Sequence, residues 1–170
     1  TPEDPASSRF GESFWRFYPR TVIGTFRKNL ALERQRLARM GKGAWSLANE
    51  TWRNVLFPLV LTAAAYAAGE TLAPEAPSLL GLGAGASAAL AVVVQAVLGF
   101  SLLEIVNYLE HYGLERRKLP NGKYERVTPL HSWNGNHLVT NGFLYHLQRH
   151  SDHHAWPARR YQTLRNFPEA

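Results

Sequence analysis

Charge is absent from two stretches of this chain and crowded on either side of them. From Leu79 to Leu103, LLGLGAGASAALAVVVQAVLGFSLL, no residue is charged. About 20 apolar residues suffice to cross a hydrocarbon layer of roughly 30 Å, so the pattern predicts a membrane-spanning helix. The other stretch, Asn54 to Gly69, is shorter and carries Pro58. With Trp52 and Phe57 flanking it as an interfacial aromatic belt, it predicts a second span. The two spans are expected at about 52–69 and 79–106. Gly81 and Gly85, and likewise Ala84 and Ala88, repeat at a spacing that lets helices approach closely in lipid.

Upstream the pattern changes. Val22, Ile23, Phe26, Leu30, Leu37 and Met40 recur near the helical period, while Arg27, Lys28, Arg34, Arg36 and Arg39 occupy other faces. This predicts a basic amphipathic helix, ended by Gly41, lying along the membrane surface or beneath the spans. Downstream, Asn121-Gly122 in LPNGKY predicts a tight hairpin turn between short polar strands. The expected organisation is a cytoplasmic amphipathic segment over 1–46, a transmembrane hairpin over 47–110, and a cytoplasmic histidine-rich region over 111–170. The fold class is an all-α membrane protein.

The net charge of +6 is compatible with nucleic acid or with a membrane surface, and its distribution favours the membrane. Arginine and lysine crowd the residues before the first span and after the second, while the connecting loop carries only Glu70 and Glu75. By the positive-inside rule both ends are cytoplasmic, and no nucleic-acid partner is expected. The absence of cysteine excludes disulfides, zinc-thiolate and iron-sulfur ligation within the chain, so any metal must sit on nitrogen and oxygen.

Candidate chemistry concentrates in LQRHSDHH, Leu147 to His154. If this segment is helical, His150, His153 and His154 share a face, and His146 falls on the same stripe. Clustered neutral imidazoles are ligands for iron, zinc, copper or nickel. His111, beside Glu110 in NYLEHYGL, ends the second span, where polar groups are costly unless paired. His131 and His137 in HSWNGNH have no regular ligand spacing. With Glu110, Asn134, His146 and Asp152, they are candidates for the hydrogen bonds that orient metal ligands.

NYLEHYGL, HSWNGNH and LQRHSDHH together resemble the later histidine motifs of the integral-membrane alkane monooxygenases, relatives of the histidine-box desaturases. TPEDPASSRFGES and LERQRLARMGKGAWSLANE resemble segments between that family's boxes. The resemblance implies a six-helix transmembrane bundle carrying two non-haem iron ions on nine histidines. It further implies oxidation of a terminal n-alkane carbon with O2, and electrons from rubredoxin, separate or fused, reduced by an NADH-dependent reductase. Such an enzyme would sit in the bacterial cytoplasmic membrane. Of its ligands, His111, His150, His153 and His154 match here. The earlier boxes do not occur, so the chain is expected to correspond to the C-terminal portion of a longer enzyme and to be inactive without the N-terminal part. Two other readings remain: a related histidine-box enzyme, such as a fatty-acyl desaturase or xylene-type monooxygenase, and a non-enzymatic membrane metal-binding module.

Overall fold

A computed structural model describes residues 1–75 and 80–169. Among them the secondary structure is helical, apart from an isolated antiparallel bridge between Lys118 and Tyr124 and a bridge residue at Leu82. Helix α1 spans Phe14–Arg39, α2 Glu50–Leu72 and α3 Ala84–His111. Two short helices follow, α4 at Leu138–Phe143 and α5 at His150–Ala155, with single 3-10 turns at Pro129–His131 and Tyr161–Thr163. The chain forms two compact units, one of residues 26–102 and the other of residues 1–25 with 103–170.

Within residues 26–102, α2 and α3 are both long and apolar enough to cross a membrane, and none of either span's apolar window is buried. Leu59, Val60, Leu98 and Leu102 stand exposed, as side chains meant for lipid or for neighbouring helices must. The hairpin is closest where two glycines meet. A Cβ on Gly69 would lie 2.6 Å from Ala84 O and 2.7 Å from Gly85 Cα. The small-residue contact therefore pairs Gly69 with Gly85. Gly81 has φ +76° and precedes the helix, so the predicted Gly81/Gly85 pair does not form a helix face. The second span begins at Ala84 among the described residues, and position 79, its predicted start, lies outside them.

The start of α2 is held by side chains. Asn49 accepts from Thr51 N at 2.9 Å as an N-cap, and Glu33 accepts from Glu50 N at 3.0 Å and from Arg36 Nε at 2.7 Å. Trp52 donates to Ala44 O and stacks on Trp45, ring centroids 4.9 Å apart. Helix α1 begins eight residues before the predicted amphipathic stripe, and of that stripe Leu37 is fully buried. Phe17, Thr21, Glu33 and Leu37 are enclosed, whereas Val22, Ile23, Phe26 and Met40 are exposed. Gly41, φ +65°, ends it, with Lys42 N donating to Leu37 O.

In the other unit the N-terminal segment is laced to the last turns of α3. Ser8 Oγ donates to Tyr108 O at 2.7 Å, Tyr108 OH to Glu12 O at 2.6 Å, and Gly11 N to Tyr112 OH at 3.0 Å. Buried Phe17 packs on the Tyr108 ring at 5.3 Å. Thr21 and Asn107 both donate to Glu104 Oε2, so this carboxylate in α3 is not left bare. The Asn-Gly turn is present, with Gly122 at φ +76° and Leu119 N donating to Lys123 O at 2.7 Å. The strands expected beside it amount to the single bridge.

Candidate metal centre

His111 is the last residue of α3, and α5 presents His150 and His154 one turn apart. Their Nε2 atoms converge: His150 and His154 are 2.8 Å apart, His111 and His154 3.2 Å, and His111 and His150 3.3 Å. An ion about 2.1 Å from each of three imidazole nitrogens would hold them roughly 3.0–3.4 Å apart, for octahedral to tetrahedral angles. The observed triangle is close to that size.

The far side of the His111 ring fixes which of its nitrogens is free. His111 Nδ1 lies 2.9 Å from Asn107 O, which has only lone pairs to offer, so Nδ1 carries the hydrogen and Nε2 a lone pair. His150 Nδ1 faces Glu110 Oε2 at 3.2 Å. That buried nitrogen has no aligned hydrogen-bond partner, so the approach is an electrostatic contact rather than a hydrogen bond. With Nε2 unprotonated on each ring, as metal ligation requires, three lone pairs would aim at one point and repel unless a cation lay among them. Neither His150 nor His154 takes up an extra proton readily at neutral pH. Burial, followed by the neighbouring His154, His111 and His153, pushes His150 down to about 3. His154 falls to about 4, first through burial of its inward Nε2 end although part of the residue is exposed, then through His111 and His153. The donors fit a borderline transition-metal ion.

His153 is nearby but outside the triangle, with ring centroids 6.0 Å from His150 and 5.6 Å from His154. The prediction of one helical stripe from His146 to His154 fails. Tyr145 and His146 have φ of +50° and +60°, which breaks any helix there, and α5 begins only at His150. His146 Nδ1 instead lies 3.3 Å from Tyr161 O.

The structure places the remaining predicted residues as follows. His131 Nδ1 accepts from Thr128 N at 2.9 Å and its Nε2 faces Glu125 at 3.3 Å, while its ring lines a cavity of about 110 Å³ shared with His111 and His154. His137 precedes α4 and lines a separate apolar cleft with Leu109, Trp133 and Leu144. Asn134 accepts from Ser151 Oγ. Asp152 pairs with Arg159 and Arg165 instead of an imidazole. The sequence reading missed Asn107, Glu125, Arg159 and Arg165. Helical spacing could have pointed to Asn107, four residues before His111, whereas the arginines resembled an ordinary solvated basic tail. A further cavity of about 290 Å³, with Leu103, Val106 and Leu147 in its wall, reaches His111, His150 and His154.

An imidazole cluster gathered at the end of an apolar, span-length helix is the arrangement of a histidine-box protein. The chain belongs to the fatty acid desaturase family, whose profile matches residues 1–167. It is 49% identical to alkane 1-monooxygenase 1 of Alcanivorax borkumensis, over 99% of this chain and 38% of that protein. It is 48% identical to the alkane 1-monooxygenase of Acinetobacter baylyi, over 100% of this chain and 38% of that protein. The hydroxylase component of a xylene/toluene monooxygenase from Pseudomonas putida is 24% identical over 100% of this chain and 41% of its own length. The chain thus spans about two-fifths of the length of these relatives.

Proposed function

We propose that this chain carries part of the iron site of an alkane 1-monooxygenase, which inserts one oxygen atom of O2 into the terminal C–H bond of an n-alkane. The observation that carries the reading is the convergence of the His111, His150 and His154 Nε2 atoms, and the 46–49% identity to several alkane 1-monooxygenases supports the substrate class. Iron held by these three imidazoles would supply the redox change that O2 activation requires and that zinc lacks. His153, beside the triangle, is the ligand for a second iron, whose remaining imidazoles come from elsewhere in the assembled enzyme.

The chain's own residues have definable tasks. Asn107 O and Glu110 set the ring orientations of His111 and His150. Leu103, Val106 and Leu147 give the cavity at the imidazoles an apolar wall suited to a hydrocarbon end arriving from the bilayer. By the positive-inside rule the basic flanks favour a site on the cytoplasmic face of the inner membrane, within reach of a soluble electron donor of the rubredoxin type.

The test is iron content and octane oxidation by the intact enzyme, supplied with rubredoxin, its reductase and NADH. The reading predicts bound iron and O2-dependent 1-octanol. Iron with oxidation of acyl chains or xylene but not octane would move the enzyme to a related substrate class. Absence of bound iron would remove the metal assignment.

A further inference from the structure

In RHSDHH the residues between the histidines bond away from the imidazole triangle, toward the chain that follows. Asp152 is fully buried, and its carboxylate accepts from Arg159 NH1 at 2.6 and 2.7 Å, from Arg165 N at 3.0 Å and from Arg165 NH2 at 3.1 Å. Ser151, also fully buried, donates to Asn134 Oδ1, and Asn134 Nδ2 donates to Asn166 Oδ1 at 2.6 Å. Arg149 donates to Leu164 O at 2.6 Å. Both arginines of the Asp152 pair lie over the Trp156 ring, at 4.9 and 4.5 Å from its centroid. A buried carboxylate with this much pairing is held in one place, because each lost partner would leave charge uncompensated.

Helix α5 has six residues, too few for its own hydrogen bonds to fix its rotation or even its existence. It carries two of the three converging imidazoles, His150 in its first turn and His154 in its second. Metal ligation tolerates misplacement of only about 0.5 Å or 10–20°. Something outside α5 must therefore set its orientation, and the only charged side chain it buries is Asp152.

We infer that residues 159–167 form a strap in which Arg165 and Arg159, gripping Asp152, fix the rotation of α5 and so aim His150 and His154 at the metal. The inference rests on the metal-site reading above. Arg165 is then a positioning residue, eleven positions beyond the last imidazole of the motif, and it acts without touching a ligand. Its main-chain N–H and two guanidinium nitrogens, Nε and NH2, grip the same carboxylate; lysine would keep the main-chain bond but replace the planar fork with a single ammonium.

The experiment titrates Co(II) into the intact, metal-stripped protein in detergent and follows the d–d absorption bands, with thermal melting measured in parallel. The wild type gives a defined band pattern. Arg165→Gln and Asp152→Asn should bind Co(II) about 10–100-fold more weakly, the usual cost of losing support behind a ligand, with altered band shape. Arg165→Lys should fall between them and the wild type, and it decides the matter if Arg165→Gln does not accumulate. Glu33→Gln breaks an ion pair in the other unit. It should lower melting while leaving affinity and bands unchanged. Arg165 and Asp152 variants that melt lower but bind Co(II) with wild-type affinity and bands would show a purely structural strap and overturn the inference. A wild type that binds no Co(II) would overturn both the inference and the metal reading beneath it.

Discussion

Adding one methyl group at Gly69 should weaken the transmembrane hairpin, and the size of the effect follows from two opposing terms. The new Cβ would sit 2.6 Å from Ala84 O, 2.7 Å from Gly85 Cα and 2.8 Å from Ala84 C, all backbone atoms that cannot rotate away. Ordinary contact starts at 3.4 Å, so α3 must recede by about 0.8 Å (3.4 less 2.6). A gap of 0.5–1 Å forfeits roughly a quarter to a half of each dispersion contact along the seam, and overpacking of a tight site costs about 1–3 kcal/mol. The bond from Gly85 N to Glu70 Oε1, now 3.0 Å, would lengthen as well. Against this, alanine favours helix over glycine by about 1 kcal/mol. Gly99 in α3 isolates that favourable term, because nothing lies within 4 Å of the Cβ it would gain. Gly99→Ala should therefore be neutral or stabilising, and Gly69→Ala less stable than Gly99→Ala by about 1–3 kcal/mol. Reversible unfolding in mixed micelles of increasing SDS fraction measures the difference. Equal stability of the two variants would refute the close approach of α2 and α3 at Gly69.

Ligand substitutions should separate by position. His111→Ala, His150→Ala, His153→Ala and His154→Ala in the intact enzyme should abolish hydroxylation and lower bound iron, His131→Ala, at the cavity shared with His111 and His154, should cost roughly 10–100-fold in metal affinity or rate, and His137→Ala, in the separate cleft, should leave bound iron near the wild-type level; iron analysis and turnover check all three. The Arg36 guanidinium, followed by the Glu50 N–H, lowers Glu33 from 4.5 to about 2. A depressed carboxylate stabilises the fold above its unfolded pKa and loses that contribution as pH falls. The melting difference between wild type and Glu33→Gln should accordingly be constant above pH 4.5 and shrink toward pH 2. For topology, the exposed Glu75 and Lys123 are the labelling positions. Glu75→Cys should react with an impermeant thiol reagent in sealed cells, Lys123→Cys only after permeabilisation, and equal labelling of both would contradict the proposed orientation.

The two spans were legible because uninterrupted apolar runs have few other physical explanations. The Asn-Gly turn was legible because left-handed backbone favours those residues. The imidazole cluster was legible as a composition, but its geometry was not. Periodicity placed His146 on the stripe, whereas left-handed conformations at Tyr145 and His146 remove the helix that the stripe assumed. The face that α1 buries was legible only in part, at Leu37. Among lipid-exposed helices an apolar residue need not be an inward one, so Val22, Ile23 and Phe26 point outward while Thr21 and Glu33 are enclosed. Long-range partners left no local signature at all. Ser8 meets Tyr108, and Asp152 meets Arg165, through bonds that spacing along the chain cannot reveal.

The most direct measurement of the central claim is iron-edge anomalous scattering from crystals of the intact, iron-loaded protein. The account predicts an anomalous peak about 2.1 Å from each of the Nε2 atoms of His111, His150 and His154. Iron bound elsewhere, with those three nitrogens free of metal, would contradict it.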